Sequence, residues 1–153
     1  MITKKFKMAF IMLMTCTVAL SSCKKDKKDP STTSGLSAKV DGTAKTSKSL
    51  IAVYYQSEKT LQIISTVGGT ESIGLMISDI KTGTFDIAND GVIATYATTS
   101  SFDDTYLGNS GSATVTAFGN GTVSGTFSFT AKTVAGATKT ITEGKFTTKY
   151  TTQ

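Results

Sequence analysis

The sequence contains no histidine and no tryptophan, one proline and two cysteines in 153 residues, and all sixteen of its cationic residues are lysine. Each absence excludes chemistry. Without histidine there is no Ser-His-Asp triad, no Cys-His pair and no histidine-bearing zinc site. Without arginine there is no guanidinium fork to grip a phosphate or a guanine edge with two parallel hydrogen bonds. The single proline, Pro30, precedes the glycine-punctuated body of the chain, and nothing after it keeps a 3.6-residue apolar period, which argues against a helical domain. The longest apolar run, Met8 to Leu20, has 13 residues, short of the roughly 20 that span a bilayer as a helix.

The amino terminus is therefore the most informative segment. Lys4, Lys5 and Lys7 form a basic n-region, and the run that follows fits a secretory h-region of roughly 7–15 residues. Leu20-Ser21-Ser22-Cys23 at its end resembles the lipobox of bacterial lipoproteins. The resemblance implies that the Cys23 thiol is acylated, that the signal is cut before it, and that Cys23 becomes the first residue. One acyl chain contributes about 0.8 kcal/mol per buried CH₂ and holds only reversibly, whereas two or three make attachment effectively permanent. The competing readings are an ordinary cleavage at Ala19-Leu20-Ser21, giving a soluble secreted protein, and an uncleaved anchor.

Removal of residues 1–22 changes the composition. The net charge of +5 falls to +2, because three lysines leave with no acid. Lys24, Lys25, Lys27 and Lys28 against Asp26 and Asp29 supply that remainder, and from Leu36 onward nine lysines face nine acids. A neutral domain has no global field to attract nucleic acid, so no nucleic-acid partner is expected. Cys16 leaves with the signal and Cys23 carries lipid, so no disulfide is available. Residues 23–35 then read as the acylated cysteine and a disordered tether, since KKDKKDPSTTSG offers no apolar side chain to bury. Twelve residues reach at most ~40 Å and average nearer ~20 Å when flexible. Lys24 directly after the cysteine is not the aspartate of inner-membrane retention, so an outer-membrane address is expected, facing either the periplasm or the outside.

Residues 36–153 form one β domain. Leu36 to Val40 meets an Asp41-Gly42 turn, Leu50 to Gln56 and Thr60 to Val67 flank Ser57-Glu58-Lys59, and Gly68-Gly69 turns into Ser72 to Ile80. Further strands are expected at 84–87, 92–98, 112–118, 122–132 and 138–150, with a hairpin turn at Asn120-Gly121. The expected architecture is all-β: a single antiparallel β-sandwich or flattened barrel of about 8–10 strands, with a closed lipocalin-like barrel as the alternative. Gly83-Thr84-Phe85, Gly125-Thr126-Phe127 and Gly144-Lys145-Phe146 repeat a Gly-x-Phe unit at unequal spacings, which reads as a reused way of aiming phenylalanine into one core.

Ala38-Lys39-Val40-Asp41-Gly42, Gly125-Thr126-Phe127-Ser128-Phe129 and Thr142-x-Gly144-x-Phe146 together resemble small β-rich Bacteroidota lipoproteins grouped as a family of unknown function. The likeness covers about residues 36–150 and brings no catalytic residue. Many members carry a tryptophan after the Val-Asp-Gly turn, where this chain has Thr43-Ala44-Lys45.

Candidate chemistry is sparse. Asp103-Asp104 is the only adjacent carboxylate pair, and Ser100-x-x-Asp103 and Ser101-x-x-Asp104 fit a capping box that opens a short helical turn. Asp86, Asn89 and Asp90 offer oxygen ligands, but fewer than calcium takes, and Asn89-Asp90-Gly91 is a good turn without metal. Tyr54, Tyr55, Tyr96 and Tyr106 can stack on sugar rings. Consecutive Tyr54 and Tyr55 must face opposite ways, one into the core and one outward. No cofactor, metal ligand or catalytic residue is assigned. The expected function is a membrane-tethered, non-enzymatic binding or interaction module with a small-molecule, glycan or protein partner. The alternatives are a carboxylate-based hydrolase such as a glycosidase, and a structural envelope protein whose interior is filled by Phe127, Phe129, Phe146 and Ile63.

Overall fold

The computed structural model describes residues 34–153. Eleven strands follow in order: β1 (Gly35–Val40), β2 (Thr43–Thr46), β3 (Ser49–Tyr55), β4 (Thr60–Gly68), β5 (Glu71–Ile77), β6 (Gly83–Asp86), β7 (Val92–Ala97), β8 (Thr105–Gly119), β9 (Thr122–Lys132), β10 (Thr138–Lys149) and β11 (Thr151–Thr152). They make one sheet of order β11-β3-β4-β5-β7-β8-β9-β10-β1-β2, with β6 paired to the free edge of β8. Every pairing is antiparallel except β11 on β3. The sheet curls strongly into a half-barrel, as expected of an all-β flattened barrel.

The path runs from β11, laid along β3, to β2, and β2 and β3 are separated along the chain only by Ser47 and Lys48. No ladder joins them; instead Ser47 bonds back to Leu36 of β1, and the Lys48 N–H donates to the Thr66 carbonyl of β4. At the far end Tyr150 leads β10 into β11, which lies along β3. The seam is thus bridged by two bent segments, a closure unlike the continuous ladder of a lipocalin-like barrel.

Two strands go beyond the sequence reading. β2 follows the Asp41-Gly42 turn, where both residues have positive φ (47° and 80°), but its Thr-Ala-Lys-Thr carries no apolar alternation to announce it. β11 is two exposed threonines. β8 also begins seven residues before the expected Ser112, running through Gly108 and Gly111. Those glycines permit close contact: a Cβ on Gly108 would lie 3.0 Å from Ile87, and one on Gly111 would strike the backbone of Ser128 and Phe129.

The concave side holds one apolar core from every strand but β2 and β11. Ile63, Phe127, Phe129 and Phe146 are all buried in it, so the interior is filled by side chains. The Gly-x-Phe units explain part of the packing. Gly144 pairs with Phe127 and Gly125 with Phe146 across β9 and β10. A Cβ on Gly144 would sit 2.5 Å from the Phe127 ring, and one on Gly125 would sit 2.6 Å from the Phe146 ring. Each glycine therefore makes the bed for the aromatic of the other unit, and the rings lie 6.3 Å apart between centroids. Cross-strand aromatic contacts of this kind, added to burial worth about 1.5–3 kcal/mol per large side chain, fix the register of the pair. Tyr54, Phe118 and Tyr150 close the end near β11, with centroids 5.1–5.8 Å apart.

Candidate functional site

The carboxylates singled out in the sequence are occupied locally. Phe102–Asp104 is a short 3-10 turn, as expected, but neither Ser100 nor Ser101 caps it. Instead the Thr99 hydroxyl donates to Asp104 at 2.7 Å and accepts from the Ser101 N–H at 3.0 Å. Thr99 thereby takes both groups that a capping box would join, the Ser101 N–H and the Asp104 carboxylate at N3. Asp86 accepts from the Ala88 N–H (2.8 Å) and from Asn89 (3.0 Å), while Asp90 accepts from the Asp86 N–H (2.7 Å). These oxygens hold a turn. Among the described residues no group of three or more His, Cys, Asp or Glu is arranged to hold a metal. Cys23 lies outside the described residues.

Tyr54 and Tyr55 face opposite ways, as expected. Tyr54 and Tyr55 are both half-buried, Tyr54 against the core cluster and Tyr55 beside Gln62 on the other face. Tyr96 is buried and contacts Tyr106 at 5.9 Å between centroids. It belongs to a polar cluster at the end of the half-barrel that sequence reading missed. There Lys45 of β2 lies 2.5 Å from Glu71 of β5, off the line of a hydrogen bond, as a half-buried ion pair. Burial, and then the Glu71 charge, push the Tyr96 phenol up to about 12. Nearby, Lys139 donates to Asp41 at 2.7 Å and the Thr140 N–H adds a second bond. Both hold the Asp41 carboxyl below its usual value, and Asp41 in turn raises Lys139. These partners come from distant strands, and only the register brings them together.

A groove of about 420 Å³ on the convex side crosses β1, β10, β9 and β8. Ser37, Ser112, Thr126 and Ser128 supply hydroxyls, and Glu143 and Lys145 supply the charges. Alternation places them there: on β9 the inward Phe127 and Phe129 leave Thr126 and Ser128 outward. Glu143 is placed by a bulge. One extra residue in β10 separates the Ile141–Phe129 and Gly144–Phe127 pairs, and Glu143 adopts φ 52°. A positive φ at a non-glycine residue is uncommon, and bulges of this kind re-aim a side chain. Lys39 holds the re-aimed carboxylate at 2.7 Å. Hydrogen-bonding groups and one ion pair suit this groove to binding. The two separated carboxylates of a glycosidase have no counterpart in it, since Glu143 is its single carboxylate.

A family described as a domain of unknown function, DUF6252, matches residues 32–148. The chain belongs to this family. The match takes in the groove, the Gly-x-Phe units and the polar end cluster, and is consistent with the resemblance to an uncharacterised family. Neither the curated proteins nor the solved structures give a match to the chain.

Proposed function

We propose that this DUF6252 protein is a lipoprotein of the bacterial envelope, held at the outer membrane through acylated Cys23, whose β domain is a non-enzymatic interaction module. The observation that carries the reading is the filled interior. With Phe127, Phe129, Phe146 and Ile63 packed in the half-barrel, recognition falls to the outer faces, and the groove around Glu143 gathers four hydroxyls and two charges on one of them. Its hydroxyls and its ion pair suit a polar partner, a glycan or a peptide, met within reach of the tether. A filled core is also required by a second reading, a structural envelope protein without a ligand, and the groove is what separates the two.

Two experiments test these readings. Cys23→Ala should abolish acyl labelling and release the protein from the membrane fraction; unchanged fractionation refutes the anchor. A photo-crosslinking residue at Thr126 of the full chain, activated in intact cells, should give a discrete adduct that is lost on Glu143→Lys. The same residue placed at Asn120 is the control. Absence of any groove-specific adduct favours the structural reading.

A further inference from the structure

The β domain is neutral as a whole, but its charges are segregated. β1, β8, β9 and β10 with their turns carry Lys39, Lys132, Lys139, Lys145 and Lys149 against Asp41 and Glu143, a net +3. The rest of residues 36–153 carries four lysines and seven acids, a net −3. Both acids of the basic part are taken, Asp41 by Lys139 and Glu143 by Lys39. Among the described residues Lys132, Lys145 and Lys149 make no ion pair, and all three are exposed. Alternation aims them outward, because the positions next to them on β9 and β10 are buried in the core. Lys145 stands in the wall of the groove, paired in register with Ser37 on one side and Thr126 on the other.

We propose, resting on the reading of this groove as a binding site, that the outer face of β1, β9 and β10 binds a polysaccharide of uronic acids, with Lys145 taking a sugar carboxylate. The sign of the charge is the first reason. Lys39 neutralises Glu143, so Lys145 leaves the groove cationic. The groove lining is the second. Its hydroxyls both donate and accept, as the hydroxyls of a sugar do. Spacing is the third: Lys145 and Lys149 lie about 13 Å apart along β10, a span for a charged polymer rather than a single sugar acid.

Other polyanions fit this face less well. β1, β9 and β10 are each paired on both sides, so an acidic peptide finds no strand edge to extend. The outward positions of β9 are threonine, serine and lysine only, with no aromatic or aliphatic anchor for a protein and nothing on which a base could stack. A flat bilayer meets the convex side of a curled sheet along its crest and does not enter the groove.

Binding of the full chain, in nonionic detergent micelles, to immobilised polygalacturonate and alginate tests this, with methyl-esterified polygalacturonate as the neutral match. The expected result is saturable binding to an acidic polymer, none to the ester, and weakening as salt is raised. Lys145→Glu should weaken binding about tenfold or more, and Thr126→Leu, which fills the groove without changing a charge, about threefold. Lys81→Glu, on the acidic part of the domain, leaves it unchanged. Urea unfolding of each variant establishes that the fold is intact. Binding that survives Lys145→Glu belongs to the tether lysines and overturns the inference, as does equal binding to the ester or indifference to Thr126→Leu. Phosphatidylglycerol vesicles that bind through Lys145 when neither polymer does would assign the face to a bilayer and overturn it too. A Thr126 crosslinked adduct in cells, with no binding to either polymer, keeps the groove as a binding site and refutes only its assignment to an acidic glycan.

Discussion

The outward surfaces of β8, β9, β10 and β1 and of β3, β4, β5 and β7 belong to one sheet, yet they are made of different residues. On the first, phenylalanine and glycine point inward while serine, threonine and lysine point out, so β9 reads as clean alternation. On the second, Ile51, Ile64 and Ile93 stand exposed on the outward side among serine, threonine and glutamine. Strict alternation belongs to a sheet with one wet face, and apolar character on both faces belongs to one that is covered. The contrast therefore separates a polar outer surface from one on which aliphatic side chains stand exposed.

The difference can be broken most severely in the core of the first half. Phe127→Ala should lower the unfolding free energy by about 3–5 kcal/mol in urea titrations, because neighbours locked by the glycine bed cannot collapse into the space. Gly125→Ala should cost about 2–3 kcal/mol, since its Cβ meets the Thr114 carbonyl as well as the Phe146 ring. A next, smaller effect is alkaline. The folded Tyr96 phenol titrates near 12 and the unfolded one near 10, so the unfolded state releases its proton first. Stability is intact below about pH 10 and declines as pH rises towards 12, by a total of about 2–3 kcal/mol. In a spectrophotometric titration Tyr96→Phe should remove the last phenol to ionise and flatten the alkaline decline.

Smaller changes sharpen the contrast. Glu71→Gln breaks a half-buried pair and leaves Lys45 uncompensated, an expected loss of about 1–2 kcal/mol by urea unfolding. Gly74→Ala on the second surface should cost under about 1 kcal/mol, because the nearest atom to its Cβ is the Thr95 hydroxyl, which can rotate away. Lys39→Ala, which frees the exposed Glu143, should stay within about 0.5 kcal/mol in the same assay; a larger loss would make that pair a structural tie.

Alternation and turn chemistry made most of the fold legible. Asp41-Gly42 and Asn120-Gly121 turn with positive φ, as their sequences require, and the four core residues named from the sequence are buried. β2 and β11 escaped because polar tetrads and dipeptides pair only when a neighbouring edge is already in place. The candidate site was less legible. Glu143 gains its position from a bulge in its own strand and its partner Lys39 is 104 residues away in sequence, and Lys45, Glu71 and Tyr96 meet only through register. The Gly-x-Phe echo was visible as an echo. That each glycine serves the other unit's ring could be read only once β9 and β10 were paired.

The position of the first strand sets a condition on when this domain can fold at all. β1 finds its partners in β2 and in β10, Leu36 pairing with Phe146, and the seam closes only when Thr151 and Thr152 lie along β3. Pairing between the two ends of a domain must pay the loop-closure entropy of nearly the whole chain, which makes folding slow and late. A nascent chain lacking its last fifteen residues has no edge on which to seat β1. Until those residues are made, β1 and β2 can pair only with each other and the seam of the half-barrel stays open.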